Sequence, residues 1–152
     1  MKKAVLWIAA ALLWGGTAVH AEDQVIDMLR SDLRAEKAAV IEEEMQFTQQ
    51  EADLFWPVFK RYENEIRKIN DQRIDLIKTF ADNYENMTDA LAAQLAKKSL
   101  ELDIKEAYVR KNYFREFSHV LPATRAAKFL QLDGLINILV RAQVVAELPF
   151  VE

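Results

Sequence analysis

This 152-residue chain reads as an all-α protein. Beyond residue 21 it holds one glycine, Gly134, and three prolines, Pro57, Pro122 and Pro149. Sheets joined by tight turns need more turn formers than that. Apolar residues recur at spacings of three and four, the helical period. Two stretches also carry helix-start chemistry, QFTQQE at 46–51 and MTDA at 87–90. The expectation is four helices, with the second and third forming a long antiparallel hairpin.

Residues 1–21 are set apart. Lys2 and Lys3 precede an apolar run, Ala4–Trp14, and Val19-His20-Ala21 offers small residues where a signal peptidase cuts. The run is short for a membrane anchor. The expectation is a secretory leader cleaved after Ala21, a periplasmic mature chain with no membrane anchor, and a single helical domain over 22–152. That mature chain has 18 basic and 24 acidic residues, a net charge of −6. Residues 22–44 alone hold eight acids and three bases. A nucleic-acid partner asks for a basic balance and is not expected. With no cysteine in the chain, thiolate metal sites and thiol chemistry are excluded.

The first helix spans about 23–44, with Val25, Ile26, Met28, Leu29, Leu33, Val40 and Ile41 as a stripe that thins in the middle. Such a helix packs weakly or finds a partner chain. The second begins at Thr48, where Thr48-Gln49-Gln50-Glu51 is a capping box. Phe55, Phe59, Tyr62, Ile66 and Ile69 then step as a heptad seam, which Arg73 interrupts. Pro57 in the third turn lacks an amide donor, so a bend is expected there. Run to Asn86, the helix would be roughly 57 Å long. Thr88 caps the third helix, which extends to about His119 with Leu91, Leu95, Leu102, Val109, Tyr113 and Phe117 on one face. Pro122 opens the fourth. Phe129, Leu132, Leu135, Ile136, Ile138, Leu139, Val140, Val144 and Val145 make that helix apolar and core-like, Asp133 and Arg141 interrupt it, and Pro149 ends it.

Phe47-Thr48-Gln49-Gln50-Glu51 and Leu121-Pro122-Ala123-Thr124-Arg125 share one pattern. An apolar residue precedes a turn former, and a long polar residue sits in fifth position. These FTxxE and LPxxR stretches resemble the paired LTxxQ motifs of the Spy/CpxP-like family of small helical periplasmic proteins. Glu51 and Arg125 stand where the family has Gln, and Pro122 where it has Thr. Helix capping explains both motifs without a ligand. The resemblance implies a cradle-shaped, dimeric helical body. It also implies an ATP-independent, chaperone-like envelope stress protein that binds partly unfolded proteins. The alternatives within the family are an adaptor docking one envelope partner and a metal-responsive sensor.

Aromatic residues interleaved with arginines suit contact with proteins. On that ground Tyr108, Tyr113 and Phe114 are candidate protein-binding residues, joined by Trp56, about 100° round the helix from Phe55, and by Arg73, which breaks the apolar seam with charge. Phe47, Thr48, Glu51, Pro57, Leu121, Pro122 and Arg125 are assigned to structure. His119 is the one histidine of the mature chain, too few for a zinc site. Neither a Gly-rich phosphate loop nor a nucleophile–base pattern is present. No enzyme activity, metal or cofactor is therefore expected.

Overall fold

The computed structural model describes residues 35–145, with side chains to residue 142. The expected leader and most of the first helix's expected stripe lie outside the described residues, as does Pro149. The chain divides into two units, 1–40 and 41–152. Of the first, residues 35–40 are described and are helical. Among the described residues there are four helices and no strand: α1 at 35–45, α2 at Gln49–Asp82, α3 at Asp89–Val120 and α4 at Ala123–Val145.

The helix starts form as their side chains dictate. Thr48 Oγ1 accepts from the Glu51 amide at 3.2 Å, and the Thr48 amide donates to Glu51 Oε2 at 2.9 Å, completing the capping box. Thr88 accepts from the Leu91 amide at 3.2 Å. Pro122 gives its carbonyl to the amides of Arg125 and Ala126 and so opens α4. Helix α2 runs unbroken through Pro57 for 34 residues. It stops four residues before Asn86. There the Asn83 side chain turns back onto the Thr79 carbonyl at 2.8 Å, and Tyr84–Asn86 form a single 3₁₀ turn.

Helices α2 and α3 form the expected antiparallel hairpin. Phe55 meets Phe117, Tyr62 meets Tyr113 and Arg73 meets Asp103, so rising numbers on one helix face falling numbers on the other. Helix α4 returns along the pair, antiparallel to α3. The core is gathered where the three helices overlap, at the end carrying both motifs. Phe55, Tyr62, Phe117 and Phe129 have no solvent exposure. Their rings stand 4.5 Å apart for Phe117 and Phe129, and 5.1 Å apart for Phe55 and Phe129. These are favoured offset and edge-on separations. Each such ring contributes about 2–3 kcal/mol by burial.

Among the described residues, full burial on α4 is confined to its first half. Ala126, Phe129 and Asp133 are fully buried, but Leu135, Ile138 and Leu139 are each more than half exposed. The residue on the core line after Phe129 is an aspartate. Asp133 Oδ2 accepts from the Tyr62 hydroxyl at 2.6 Å and from the Asn137 side-chain Nδ2 at 3.1 Å, with Arg110 Nη1 4.0 Å away. Burial pushes the Tyr62 hydroxyl far above the usual phenol range, and the Asp133 charge adds to the effect. The phenol therefore stays a donor at every working pH. Arg110 reaches across to the Leu130 carbonyl at 3.0 Å. Gly134 leaves the room for it, since a Cβ there would lie 2.8 Å from Arg110 Nη2.

Gly134→Ala should push the guanidinium away from Leu130. Losing a hydrogen bond from a charged donor costs about 1.5–3 kcal/mol. Alanine returns about 1 kcal/mol of helix propensity. A net destabilisation of about 1 kcal/mol is expected in urea denaturation. With Arg110→Ala already in place, the same change should become stabilising by up to about 1 kcal/mol. Stabilisation in both backgrounds would contradict this packing.

Candidate protein-binding surface

Both motifs come together at one junction. Helix α1 ends at Met45, and Gln46 follows in the left-handed region at φ 47°. Its amide bonds back to the Glu42 carbonyl at 3.0 Å, an αL-type helix end where glycine is usual. The last carbonyls of α1 are then met by basic side chains from α4. Arg125 donates to the Met45 carbonyl at 2.7 Å, and Lys128 donates to that of Glu44. Cations at this pole also suit the helix dipole. Arg125 Nε lies 2.8 Å from Glu51 Oε1, and its guanidinium stands 5.6 Å over the Phe47 ring. The fifth positions of the two motifs are thus an ion pair. Phe47 packs on Phe55 at 4.5 Å and Trp56 at 6.2 Å. Leu121 is buried in the same core.

Past Ile69 and Leu102 the apolar core gives way to charge. Arg73 on α2 donates to Asp103 at 2.9 Å and to Glu106 at 3.0 Å, both on α3. Arg141 on α4 pairs with the same two carboxylates. Glu106 is 7% exposed. Further out, Leu76, Ile77 and Phe80 face Ala92, Leu95 and Ala96 across an apolar cleft of about 250 Å³. The small residues on α3 leave that gap.

The five candidate binding residues are not brought together. Trp56, Tyr113 and Phe114 are half-buried and pack against the core. Arg73 is occupied by the ion cluster, which accounts for its break in the seam. Tyr108 is 61% exposed. It stands in a row with Leu100 and Ile104, 63% and 59% exposed, one helical turn apart along the outer side of α3. Leu135, Ile138 and Leu139 form a second such row on α4. Tyr108 is the member of the α3 row that the sequence reading selected. Leu100 and Ile104 also lie off the apolar face that Leu102, Val109, Tyr113 and Phe117 mark on α3, which was the available signal.

His119 is exposed in the last turn of α3. Among the described residues, no three histidine or carboxylate side chains converge on a metal site, and no helix is long and apolar enough to cross a membrane. No protein-family model matches the chain, and neither a curated protein nor a solved structure matches it.

Hydrogen bonds from Thr48, and secondly Arg125, hold the Glu51 carboxyl below its ordinary value of 4.5. Folding therefore favours its charged form. That contribution is complete above pH 4.5 and disappears as pH falls through the native value. Glu51→Gln should be less stable than the parent at neutral pH, and the gap should narrow as pH falls below 4.5. Thermal melts above and below that pH check it. A gap that stays constant would mean that the charge of Glu51 does not hold the junction.

Proposed function

We propose that this is an exported, chaperone-like helical protein that holds partly unfolded envelope proteins without nucleotide. The leader sequence and the family resemblance support export and an envelope stress role. The observation that carries the binding role is the pair of exposed apolar rows, Leu100-Ile104-Tyr108 and Leu135-Ile138-Leu139. Contiguous apolar surface on a small protein marks an interaction site. Charged neighbours, such as Lys97, Glu101 and Lys105, interrupt it. Apolar contact attracts a client, and the interruptions keep that contact small enough to release it. Association of two copies belongs to the same reading, with the α4 row as the side facing a second chain.

The test is aggregation of two unrelated unfolding proteins, with and without the purified mature chain and with no ATP. Suppression of both near a one-to-one ratio is the expected outcome, with Leu100→Ser/Ile104→Ser losing most of it. Failure to protect either would sink the reading and favour an adaptor that docks one envelope partner.

A further inference from the structure

The α3 row has a charge pattern of its own. On a helix of 3.6 residues per turn, positions seven apart fall nearly in line. Lys97, Ile104 and Lys111 therefore lie along one line of α3, all three exposed. Leu100 and Tyr108 sit one turn to either side of Ile104. Arg115, also exposed, continues the line beyond Lys111. Glu101, at the edge of this side, lies 3.9 Å from Lys98. The result is an apolar centre about 12 Å long with a lysine at each end. The opposite side of α3 is taken up by the hairpin, through Leu102, Glu106 and Phe117.

This local pattern differs in sign from the protein, whose net charge is −4. Screening in physiological salt acts over about 8 Å, so a docked segment feels the nearby lysines more than the distant acids. A second copy of the same helix is a poor occupant. Antiparallel pairing about Ile104 would set Lys97 against Lys111, and parallel pairing would set each lysine against itself. Like charges placed opposite each other suppress wrong partners. Lying on a membrane is also a poor fit, because a surface-bound helix needs a broad apolar face along its length. Here the apolar part is three residues.

We infer that the outer side of α3, Lys97–Arg115, docks an acidic amphipathic helical segment of a partner protein. Apolar residues three or four apart would cover Leu100, Ile104 and Tyr108, and Asp or Glu at either end would meet Lys97 and Lys111. The inference rests on the protein-binding reading above and names the partner's chemistry.

The test uses the full mature chain and a fluorescent peptide of about 15 residues with leucines at this spacing and glutamates flanking them. A matched peptide replaces every glutamate with lysine. The acidic peptide should bind, weaken as salt rises, and lose at least about tenfold in affinity to Lys97→Glu/Lys111→Glu. The lysine peptide should bind at least about tenfold more weakly than the acidic one to the parent, and better to that variant. Both lysines are exposed, so helix content by circular dichroism should not change, and Lys78→Glu on α2 serves as a distant control. Equal binding of both peptides would overturn the inference. So would an unaltered affinity in the variant, loss of self-association on Ile104→Ser, or binding to phosphatidylglycerol vesicles with none to the peptide. Aggregation suppression that persists with no charge preference would refute this inference and leave the proposed function standing.

Discussion

Phe129 is where the three long helices meet, and the rest of the unit depends on that contact. Its ring touches Phe55 and Phe59 of α2 and Phe117 of α3, with the Tyr62 ring 6.0 Å away. Phe55, its partner on α2, gathers five rings in turn: Phe47, Trp56, Phe59, Phe117 and Phe129. A pair of helices alone would leave the Phe55 face half uncovered, and a two-helix hairpin has no other core to fall back on. The Tyr62–Asp133 hydrogen bond lies directly beside this cluster. It adds what rings cannot, a single register. A slip of α4 by one position would leave a buried carboxylate without its donor, which costs more than the bond itself contributes.

From that end outward the character of the packing changes in order. Rings give way to aliphatic residues at Ile66, Ile69 and Leu102, then to the Arg73–Asp103–Glu106–Arg141 cluster, and then to an apolar cleft at the hairpin tip. The ion cluster ties the same three helices as the rings do. With two arginines sharing two carboxylates, each side chain is ordered once and used more than once. Isolated exposed pairs contribute little, but here Glu106 is buried and both arginines converge on it. The arrangement lets α4 stay attached after its inward apolar residues are exhausted. Its leucines and isoleucine can then face outward, which a helix held by apolar contact alone could not spare.

Local chemistry was legible in the sequence. The Thr48–Glu51 box, the Thr88 cap and the start at Pro122 depend on residues within four positions of one another, and each side chain bonds where its type and spacing require. The seam from Phe55 to Ile69 was legible for the same reason, since a strict period names a face. Two kinds of feature were not. One is pairing between distant positions: Tyr62 with Asp133, Glu51 with Arg125, Arg73 with Glu106. Asp133 continues the line of Ala126 and Phe129, so its burial was implicit, but a single sequence names no partner 71 residues away. The other is direction on a helix that is apolar all round. Leu132, Leu135, Ile136, Ile138 and Leu139 offer no polar side to mark the solvent, so periodicity could not separate the buried first half of α4 from its exposed second half. Trp56, Tyr113 and Phe114 stood out by residue type, and type does not distinguish an interface ring from the rim of a core.

The central claim is that stability is concentrated at the motif end and thins toward the hairpin tip. Native-state hydrogen exchange along α2 and α3 tests it most directly, because both helices are continuous and only packing differs along them. Amides near Phe55–Ile66, Phe117 and Phe129 should exchange only through global unfolding. Those of Leu76–Phe80 and Leu91–Leu95 should exchange sooner, through local opening. Uniform protection from one end of the hairpin to the other would contradict the account.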